Sequence, residues 1–507
     1  ASGGYQRLAK NKKSSWGVSY GYTDVSLAFK IIKDKRQFFK VPVYQTADAN
    51  FRIKTSATGI IKYYGYLSAN KLGFTEPSID TLGYNDAFQL SNVNMYHNLS
   101  YCERFGNGWQ LNAGASFTNN ADEIEGALEN TQNQKVFIQD LEVKNFSMNN
   151  KSRYANGKLV VEKKLPGLSM LRFGGEYNYS NERPQYTAHD GSIKSGRVKQ
   201  GTSAAFAESD IYITNNLAAK LGSRLEYASL IDKVNVAPRL SLAYKLSDNS
   251  QASLAYGIFY QNPESRYLPG LSALHFAKAT HYIAQYQKVE NDRTLRAEVF
   301  YKKYNNLVKT TYEQRREIAV SNDGYGDAKG FDFFWRDKRT IKNFDYWISY
   351  SYLDTKRDFL NYPHVLQPAF AAKHTGSLVV KKFVGKLKTQ FNGSYTYASG
   401  RPYYHIRYDN TASKFSIQDQ GRTIDYNSLS ISVNYLPNIF KKGANKFSVF
   451  VFSVTNVLNS DQVYGYKYSF SGYRKEAIVP PSKMFFFLGA FLSFGVDRSQ
   501  DVINSNL

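Results

Sequence analysis

The chain has 507 residues, a formal net charge of +23 and an aromatic content of 16%, with 41 tyrosines and 34 phenylalanines. Its mean hydropathy is −0.49. The densest apolar stretch, 484–494, is shorter than the roughly 20 residues that a membrane-spanning helix needs, which excludes a helical membrane protein. A single cysteine, Cys102, excludes a disulfide framework and a cysteine-based zinc site. The basic residues are spread along the chain, which argues against nucleic acid as a partner.

Segments in which every second residue is apolar recur along the whole chain. In chain order they lie at 3–9, 15–21, 25–32, 45–54, 58–70, 88–102, 107–118, 148–163, 169–183, 201–213, 217–227, 236–246, 250–260, 278–289, 294–304, 329–337, 344–352, 375–382, 386–397, 428–435, 446–457 and 485–496. Side chains of a strand alternate between its two faces, so each segment has one apolar and one polar face. About 22 such strands, an even number, predict a single transmembrane barrel.

The hairpin at 236–260 shows this pattern most clearly. From Arg239 to Leu246 every second residue is large and apolar, and its neighbours are small, polar or basic. The polar turn 247–249 follows, and the alternation then resumes. Two strands of about ten residues joined by a polar turn have the length of a membrane-spanning hairpin. The fold predicted from the whole set is an all-β, antiparallel transmembrane barrel.

Short and long connections alternate, and this predicts the orientation of the barrel. The short connections contain Gly, Asn or Asp suited to tight turns, at 105–108, 165–167, 214–216, 247–249, 291–293 and 384–385. The long connections lie at about 119–147, 184–200, 261–277, 309–328, 356–374 and 398–423. Barrels of the bacterial outer membrane place short turns in the periplasm and long loops outside. Strand boundaries within residues 1–90 are predicted least clearly.

The final strand, 485–496, is strongly apolar and is expected to close the barrel against the first strand. One face holds the residues Phe486, Leu488, Ala490, Leu492, Phe494 and Val496. The following segment, 497–507, is polar and unsuited to lipid. The predicted organisation is therefore a barrel over residues 1–496 and a polar C-terminal tail over 497–507.

Four local motifs carry a resemblance to a known family. They are Asn456-Val457-Leu458-Asn459 on the penultimate strand, the aromatic run Tyr464, Tyr466, Tyr468, the pair Pro480-Pro481 with the closing strand 485–496 after it, and the strand 235–242. In these motifs the chain resembles the β-barrel domain of TonB-dependent outer-membrane transporters, in the form found in Bacteroidetes-type bacteria. The resemblance implies an outer-membrane location and no enzymatic activity. It also implies an N-terminal plug domain and a TonB box, neither of which is visible, since residue 15 already has a barrel-strand pattern.

A barrel of this size encloses a lumen that leaks unless it is filled. The predicted lumen-facing side chains are mixed charges and amides: Lys220, Arg224, Glu226, Arg239, Lys245, Arg296, Glu298, Lys302, Lys388, Gln390 and Asn392. They suit hydrogen bonding to a polar plug and also suit a solvated channel wall, and the sequence leaves both interpretations open.

Two loops are candidates for ligand binding. The segment 399–408 offers Arg401, Tyr403, Tyr404, His405 and Arg407. Aromatic rings provide stacking faces and arginines bind carboxylate or phosphate through two hydrogen bonds. The second loop offers Arg266, Tyr267 and His275. The alternative for both loops is an aromatic belt with basic residues that contact anionic lipid at the membrane rim.

Nothing in the sequence predicts an active site or a cofactor, because no nucleophile, phosphate-loop or metalloprotease motif is present. The acidic residues between 122 and 142 lack the spacing of an ordered calcium loop and are expected to form a solvated loop.

The leading functional prediction is energy-coupled uptake of a scarce nutrient, such as a metal chelate, haem, a cofactor or a small glycan. Its expected partners are outer-membrane lipid or lipopolysaccharide and, where a plug is present, a TonB-type energy-coupling protein. The alternative is a plug-less barrel that serves as a scaffold subunit with outer-membrane or lipoprotein partners. A non-coupled porin is a third possibility.

Overall fold

The computed structural model describes residues 1–26, 29, 36–267, 274–313, 316–441 and 446–495. The strands of its first half are β1 (Ser2–Leu8), β2 (Ser14–Asp24), β3 (Gln37–Lys54), β4 (Ile60–Pro77), β5 (Asn85–Arg104), β6 (Trp109–Glu129), β7 (Phe146–Lys164), β8 (Met170–Thr187), β9 (Ile193–Ser195), β10 (Val198–Tyr212), β11 (Leu217–Ala228), β12 (Lys233–Ser247) and β13 (Ser250–Gln261). The strands of its second half are β14 (Ala277–Glu290), β15 (Arg293–Glu313), β16 (Arg316–Asp337), β17 (Phe344–Asp358), β18 (His374–Val384), β19 (Thr389–Ala398), β20 (Pro402–Asp409), β21 (Lys414–Arg422), β22 (Tyr426–Tyr435), β23 (Lys446–Thr455), β24 (Gly465–Tyr468), β25 (Lys475–Ile478) and β26 (Phe485–Phe494). Short 3-10 turns lie at Gly106–Gly108, Glu142–Lys144, Ser265–Tyr267 and Gly385–Leu387. No helix in the described part of the chain is long and apolar enough to cross a membrane.

Twenty-two of the strands form one antiparallel sheet, which confirms the predicted fold and the predicted number of about 22. The two sets do not match strand for strand: the short strand β9 has no counterpart among the predicted segments, and the predicted segment 25–32 lies largely outside the described residues. Strands that follow one another in the chain pair side by side, and the short strand β9 extends the sheet next to β8. Two hairpins lie outside this sheet. The first, β20–β21, is inserted between β19 and β22, and the second, β24–β25, between β23 and β26.

The connections at the two ends of the strands differ, as predicted. At one end the strands are joined by tight turns, and several residues of these turns adopt left-handed backbone angles: Asn107, Gly108, Gly167, Asn291 and Asp292. We call the opposite set of strand ends the long-loop rim, which in the described residues consists of 78–84, 130–145, 188–197, 262–267, 274–276, 359–373, 399–425 and 456–484.

Large apolar side chains cover the outside of the sheet instead of filling a core. Leu242 pairs with Leu254, and the next pair on the same face is Leu240 with Tyr256. Leu254 is 60% exposed. Buried apolar side chains form only two small clusters in the described residues, one of which surrounds Tyr267. A soluble protein would bury this face, so the pattern indicates contact with lipid.

The inner face of the sheet carries the charged side chains that the sequence predicts for the lumen. Lys220 Nζ lies 3.3 Å from Glu208 Oε2, and Arg224 Nη1 lies 3.2 Å from Glu176 Oε2. The prediction for Lys388 is wrong: it follows the turn Gly385–Leu387 with a φ of 51°, because the strand ladder has ended there. The inner wall is thus a polar surface on which ion pairs connect neighbouring strands.

Two predicted loops are in fact strands. Most of the segment 309–328 belongs to β15 and β16, and residues 122–129 of the acidic segment belong to β6. Their polar composition hides the alternation, because a strand that projects beyond the membrane is in water on both faces and needs no apolar side. No group of three His, Cys, Asp or Glu side chains in the described residues is placed to hold a metal ion.

The predicted closure of the last strand against the first is wrong for the described residues. There β1 pairs only with β2 and β26 only with β23. Apart from β9, 21 strands alternate in direction, so β1 and β26 run parallel and antiparallel closure needs one more strand between them. At the long-loop rim the hairpin that precedes β26 nevertheless reaches the other side of the sheet, where Lys467 Nζ lies 3.0 Å from Glu76 Oε1 on β4. The predicted polar tail, 497–507, lies outside the described residues.

Candidate functional site at the long-loop rim

The first rim hairpin, β20–β21, is held closed at its base by backbone contacts. The amide of Gly400 donates to Asp425 Oδ1 over 2.8 Å, and the amide of Arg401 donates to Thr423 Oγ1 over 3.0 Å. A Cβ at Gly400 would lie 2.0 Å from the carbonyl oxygen of Thr423, so only glycine fits this approach. The base therefore fixes the direction in which the hairpin leaves the sheet.

The second rim hairpin, β24–β25, packs directly on the first. Its turn contains Gly472 with a φ of 81°. A Cβ at this position would lie 2.9 Å from Arg407 Nη1 and 3.0 Å from His405 Cε1. The same guanidinium donates a 2.8 Å hydrogen bond to the carbonyl oxygen of Ser471. Glycine in this turn thus permits the contact between the two hairpins.

A lysine surrounded by tyrosines lies where the hairpins meet. Lys475 Nζ is 4.0 Å from the ring centre of Tyr403 and 4.4 Å from that of Tyr466. It donates to Tyr403 Oη and to Asp419 Oδ2, both over 2.7 Å. A cation over aromatic faces is stabilised by the ring quadrupole. We call this group the hairpin junction: Tyr403, His405, Asp419, Tyr466, Tyr468 and Lys475.

Ring contacts complete the hairpin junction. The imidazole of His405 stacks on Tyr468 with 4.0 Å between ring centres and an angle of 12° between planes. Tyr403 and Tyr466 approach to 4.5 Å with tilted rings. Tyr468 Oη donates a 2.6 Å hydrogen bond to Asp419 Oδ2. The junction is therefore an aromatic surface with both charges of one ion pair inside it.

The surroundings shift the pKa values of four junction groups. For Lys475, burial opposes the charge, but hydrogen bonds to Asp419 and Tyr403 outweigh it and raise the pKa. Hydrogen bonds from Lys475 and Tyr468 lower the pKa of Asp419. Burial and the hydrogen bond to Asp419 raise the pKa of Tyr468 to about 12. Burial, followed by the charge of Arg407, lowers the pKa of His405. At neutral pH the ion pair is intact and the phenol of Tyr468 is neutral.

Hydrogen bonds also anchor the second hairpin to the connection 78–84, between β4 and β5. The amide of Phe470 donates to Asp80 Oδ1 over 2.6 Å, and Arg474 Nη1 donates to the carbonyl oxygen of Ile79 over 3.3 Å. Lys144 Nζ lies 2.5 Å from Asp80 Oδ2 and 5.7 Å from the ring centre of Phe470. The hairpin, which lies between β23 and β26 in the chain, is therefore fixed to the connection between β4 and β5 at the rim.

One predicted residue of the first hairpin, Tyr404, faces a different neighbour. Tyr404 packs edge-on against Tyr362 in the connection 359–373, with ring centres 5.7 Å apart. Arg422 Nη2 donates to Gln367 Oε1 over 2.7 Å and strengthens the same contact. Tyr403, His405 and Arg407 thus meet the second hairpin, whereas Tyr404 meets the connection after β17.

The second predicted set lies between β13 and β14. Arg266 Nε pairs with Glu264 at 2.8 Å, and its guanidinium lies 4.6 Å from the ring centre of Tyr267. The ring of Tyr267 is buried among Ala228, Ile231, Leu274 and Phe276. His275 is exposed, and its amide donates to Asn322 Oδ1 over 2.7 Å. The structure therefore does not bring these residues into the hairpin junction.

Sequence reasoning missed Asp419, Tyr466, Tyr468 and Lys475 as members of the candidate site. The signal was present in the run Tyr464, Tyr466, Tyr468, because a two-residue period places alternate side chains on one face of a strand. Lys475 gives no such signal, since its place depends on the turn that pairs it with Tyr468.

The fold and its polar inner wall define the class of this protein: it is a β-barrel of the bacterial outer membrane. The chain belongs to the TonB dependent receptor-like β-barrel family, whose family model matches residues 42–457. Receptors of this family are transporters and not enzymes, and they work with TonB energy-coupling proteins. The resemblance found in the sequence is thereby confirmed, while the Bacteroidetes type stays a prediction.

Several solved structures share the fold of this chain. The outer membrane transporter YddB from Escherichia coli has a TM-score of 0.72 at 12% identity, over 97% of this chain and 74% of that chain. The ferripyoverdine receptor of Pseudomonas aeruginosa has a TM-score of 0.71 at 11% identity, over 96% and 70%. The copper transporter OprC has a TM-score of 0.70 at 11% identity, over 97% and 79%. No curated protein matches the chain by sequence.

Proposed function

We propose that this barrel takes up a scarce nutrient, such as a metal chelate, haem, a cofactor or a small glycan. In this proposal a TonB-type protein supplies the energy for transport. Family membership supports a transporter of the outer membrane. Among the structures with the same fold are a ferripyoverdine receptor and a copper transporter. The polar inner wall supports a lumen through which a hydrophilic solute passes.

The capture surface that we propose is the first rim hairpin, with Arg401, Tyr403, Tyr404, His405 and Arg407 as its ligand-binding residues. The observation that carries this proposal is the convergence of stacked rings and cations in the hairpin junction. Arg407 uses one donor on the Ser471 carbonyl, and a guanidinium has five, so it retains donors for a carboxylate or phosphate. The preferred ligand is therefore anionic and planar. Arg266, Tyr267 and His275 form a second, separate contact region in this proposal.

Uptake by whole cells tests the proposed function. We expect cells that express the full-length protein to accumulate one member of a labelled panel consisting of a ferric chelate, haemin, cobalamin and a short glucan. An uncoupler that collapses the proton-motive force should abolish this accumulation, because the transport step depends on energy from the inner membrane. Accumulation that survives the uncoupler contradicts energy coupling and supports a porin. No accumulation of any member, with the barrel correctly assembled, supports the scaffold alternative.

A further inference from the structure

Three neighbouring turns at one end of the strands are joined to one another. They are the turns 338–343, 385–388 and 436–441. In barrels of this class the end with the short turns faces the periplasm. The amide of Phe383 donates to the carbonyl oxygen of Asn343 over 3.2 Å. The amide of Leu436 donates to the carbonyl oxygen of Lys388 over 2.8 Å. The backbone therefore fixes the three turns relative to one another.

A small apolar cluster supports the third of these turns on the lumen side of the sheet. Leu436, Ile439 and Phe447 are buried in this cluster, and the ring of Phe383 packs against it. Along β18 the side chain of Phe383 has the opposite phase to Leu378, which is an exposed side chain of the lipid face. The cluster therefore lies on the face of the sheet that is turned away from lipid.

The surface of the three turns combines exposed apolar side chains with exposed lysines. Each turn carries one large apolar side chain that is 47–57% exposed, with an exposed lysine next to it in the chain. The ring centre of Phe440 lies 6.1 Å from that of Phe383, which places Phe440 on the lumen side as well. We call these six residues the periplasmic platform: Ile341, Lys342, Lys386, Leu387, Phe440 and Lys441.

The lysines of the periplasmic platform have no acidic partners in the described part of the chain. The sequence contains no Asp or Glu within 338–344, 381–391 and 434–449. Two buried carboxylates flank the first turn, and both are already paired: Asp337 with Arg293 and Asp345 with Arg336. The positive charge of the three lysines is therefore uncompensated.

Lysines at two other turns of the same end do have acidic partners. Lys245 Nζ lies 2.5 Å from Asp248 Oδ1, and Lys288 Nζ lies 2.7 Å from Glu290 Oε2. A lysine at this end of the barrel can thus be neutralised by a carboxylate close to it in the chain. The periplasmic platform instead presents its positive charge to its surroundings.

The composition of the periplasmic platform matches an acidic protein segment. Exposed apolar side chains bordered by charges of one sign indicate a surface that binds another protein, and the partner is expected to carry the opposite charge. Carboxylates of such a segment pair with the lysines, and its apolar side chains pack on the exposed apolar side chains. Lipid headgroups match only the charge, because the ring of Phe440 lies on the face that is turned away from lipid. A small soluble anion leaves the apolar side chains in water.

We propose that the periplasmic platform is the docking site of a periplasmic protein, which binds through a segment that combines carboxylates with apolar side chains. The three turns form a preformed surface, because their backbone contacts and the buried cluster beneath them hold them in place. This site is independent of the capture surface proposed above.

Fluorescence anisotropy of a short synthetic peptide of glutamate and leucine, titrated with the full-length protein in phosphatidylcholine nanodiscs, tests the proposal. We expect Lys386→Gln with Lys441→Gln to weaken binding at least about tenfold, because the proposed contact pairs both lysines with carboxylates. Phe440→Ser should weaken binding at least about fivefold, because it removes an apolar anchor. The control Lys245→Gln with Lys288→Gln removes two charges from the same end of the barrel and should keep the native affinity.

Two matched peptides separate the contributions of charge and apolar contact. One has glutamine in place of every glutamate, and the other has serine in place of every leucine. Both should bind the native protein at least about tenfold more weakly than the parent peptide, because each lacks one of the two features that the platform recognises.

Three results would overturn the proposal. The first is no binding of the parent peptide to the native protein. Another part of the full-length chain that covers the platform would give this result, and so would anionic lipid, which enrichment of phosphatidylglycerol in mixed nanodiscs would reveal. The second is equal affinity of the native protein and the variant Lys386→Gln with Lys441→Gln. The third is equal affinity of the native protein for the parent and the glutamine peptide. Heat-modifiable gel mobility verifies folding, and Leu387→Ser replaces Phe440→Ser if the latter fails to assemble.

Discussion

At the scale of single residues, the stability of the hairpin junction depends on the rings of His405 and Tyr468 both being uncharged. The imidazole of His405 stacks on Tyr468, and the phenol of Tyr468 donates to Asp419. Protonation of the imidazole or ionisation of the phenol places a charge in a partly buried contact. The contact between the two rim hairpins should therefore depend on pH at both ends of the range.

The sign of this dependence follows from the two shifts. The pKa of His405 is lowered from 6.5 in the folded state, so the unfolded segment takes up the proton first and the contact weakens as pH falls below about 6.5. The pKa of Tyr468 is raised from 10.0 to about 12, so the contact weakens as pH rises between these values. The protection factors of the β24–β25 amides, which are the exchange rates corrected for the intrinsic rise of amide exchange with pH, should be highest between about pH 6.5 and 10.

The variant His405→Phe keeps a stacked ring and removes the titrating group. It should lose the acidic limb of the exchange profile and keep the alkaline limb. The exposed His275, which lies outside the junction, provides the control, since His275→Phe should leave both limbs unchanged. An acidic limb that persists in His405→Phe would show that another group controls the contact.

The hairpin junction shows which contacts between single residues could be predicted from the sequence. Arg401, Tyr403, His405 and Arg407 stand close together in the chain, so their proximity could be predicted without a structure. The contact of Tyr403 with Lys475 could not, because these two residues belong to different hairpins and are 72 residues apart in the chain. Such pairings depend on the curvature of the whole sheet, and local periodicity carries no information about them.

At the scale of elements, the two faces of each strand should respond oppositely to charge. Leu242 faces lipid opposite Leu254, whereas Ser241 faces the lumen opposite Ala255. We expect Leu242→Arg to destabilise the barrel by about 2–4 kcal/mol if it lies near the bilayer midplane, because a guanidinium in hydrocarbon is poorly solvated. Ser241→Arg should cost much less, since its head reaches the aqueous lumen.

Urea unfolding of the barrel in liposomes, followed by gel mobility, measures this difference. Adjacent positions on one strand share the same depth and pairing, so each variant is a matched control for the other. Equal destabilisation by Leu242→Arg and Ser241→Arg would show that both faces are buried, as in a soluble sandwich, and would contradict the assignment of faces.

The elements themselves were largely predictable, and the exceptions have a common cause. Strands within the membrane alternate strictly, as in 236–260, because only one face contacts lipid. The outer ends of β6, β15 and β16 escaped prediction because both of their faces are wet, which removes the selection for alternation. The tight turns were predictable from the short length of the connections and from their Gly, Asn and Asp residues. These residue types tolerate left-handed backbone angles, which Asn291 and Gly167 adopt.

At the scale of the whole molecule, the second rim hairpin joins regions that lie far apart in the chain. Lys467 and Phe470 reach Glu76 on β4 and Asp80 in the connection after it, and Lys475 reaches the first hairpin. The direction of β1 and β26 was not predictable from an approximate strand count. A difference of one strand decides whether the first and last strands of an antiparallel sheet run parallel or antiparallel to each other.

The central claim is that this outer-membrane barrel captures its nutrient on the first rim hairpin, and the most direct test is uptake by a double variant. Arg401→Ala with Arg407→Ala should lower uptake of the labelled nutrient at least about tenfold, because in the proposed site each arginine supplies charge-assisted hydrogen bonds to an anionic ligand. Lys414→Ala removes a cation from the tip of the same hairpin, and Glu123→Gln with Glu125→Gln neutralises the acidic end of β6. Both controls should transport normally, with all variants assembled to the same level. Normal uptake by the arginine variant together with loss of uptake in the glutamate variant would contradict this placement of the binding surface.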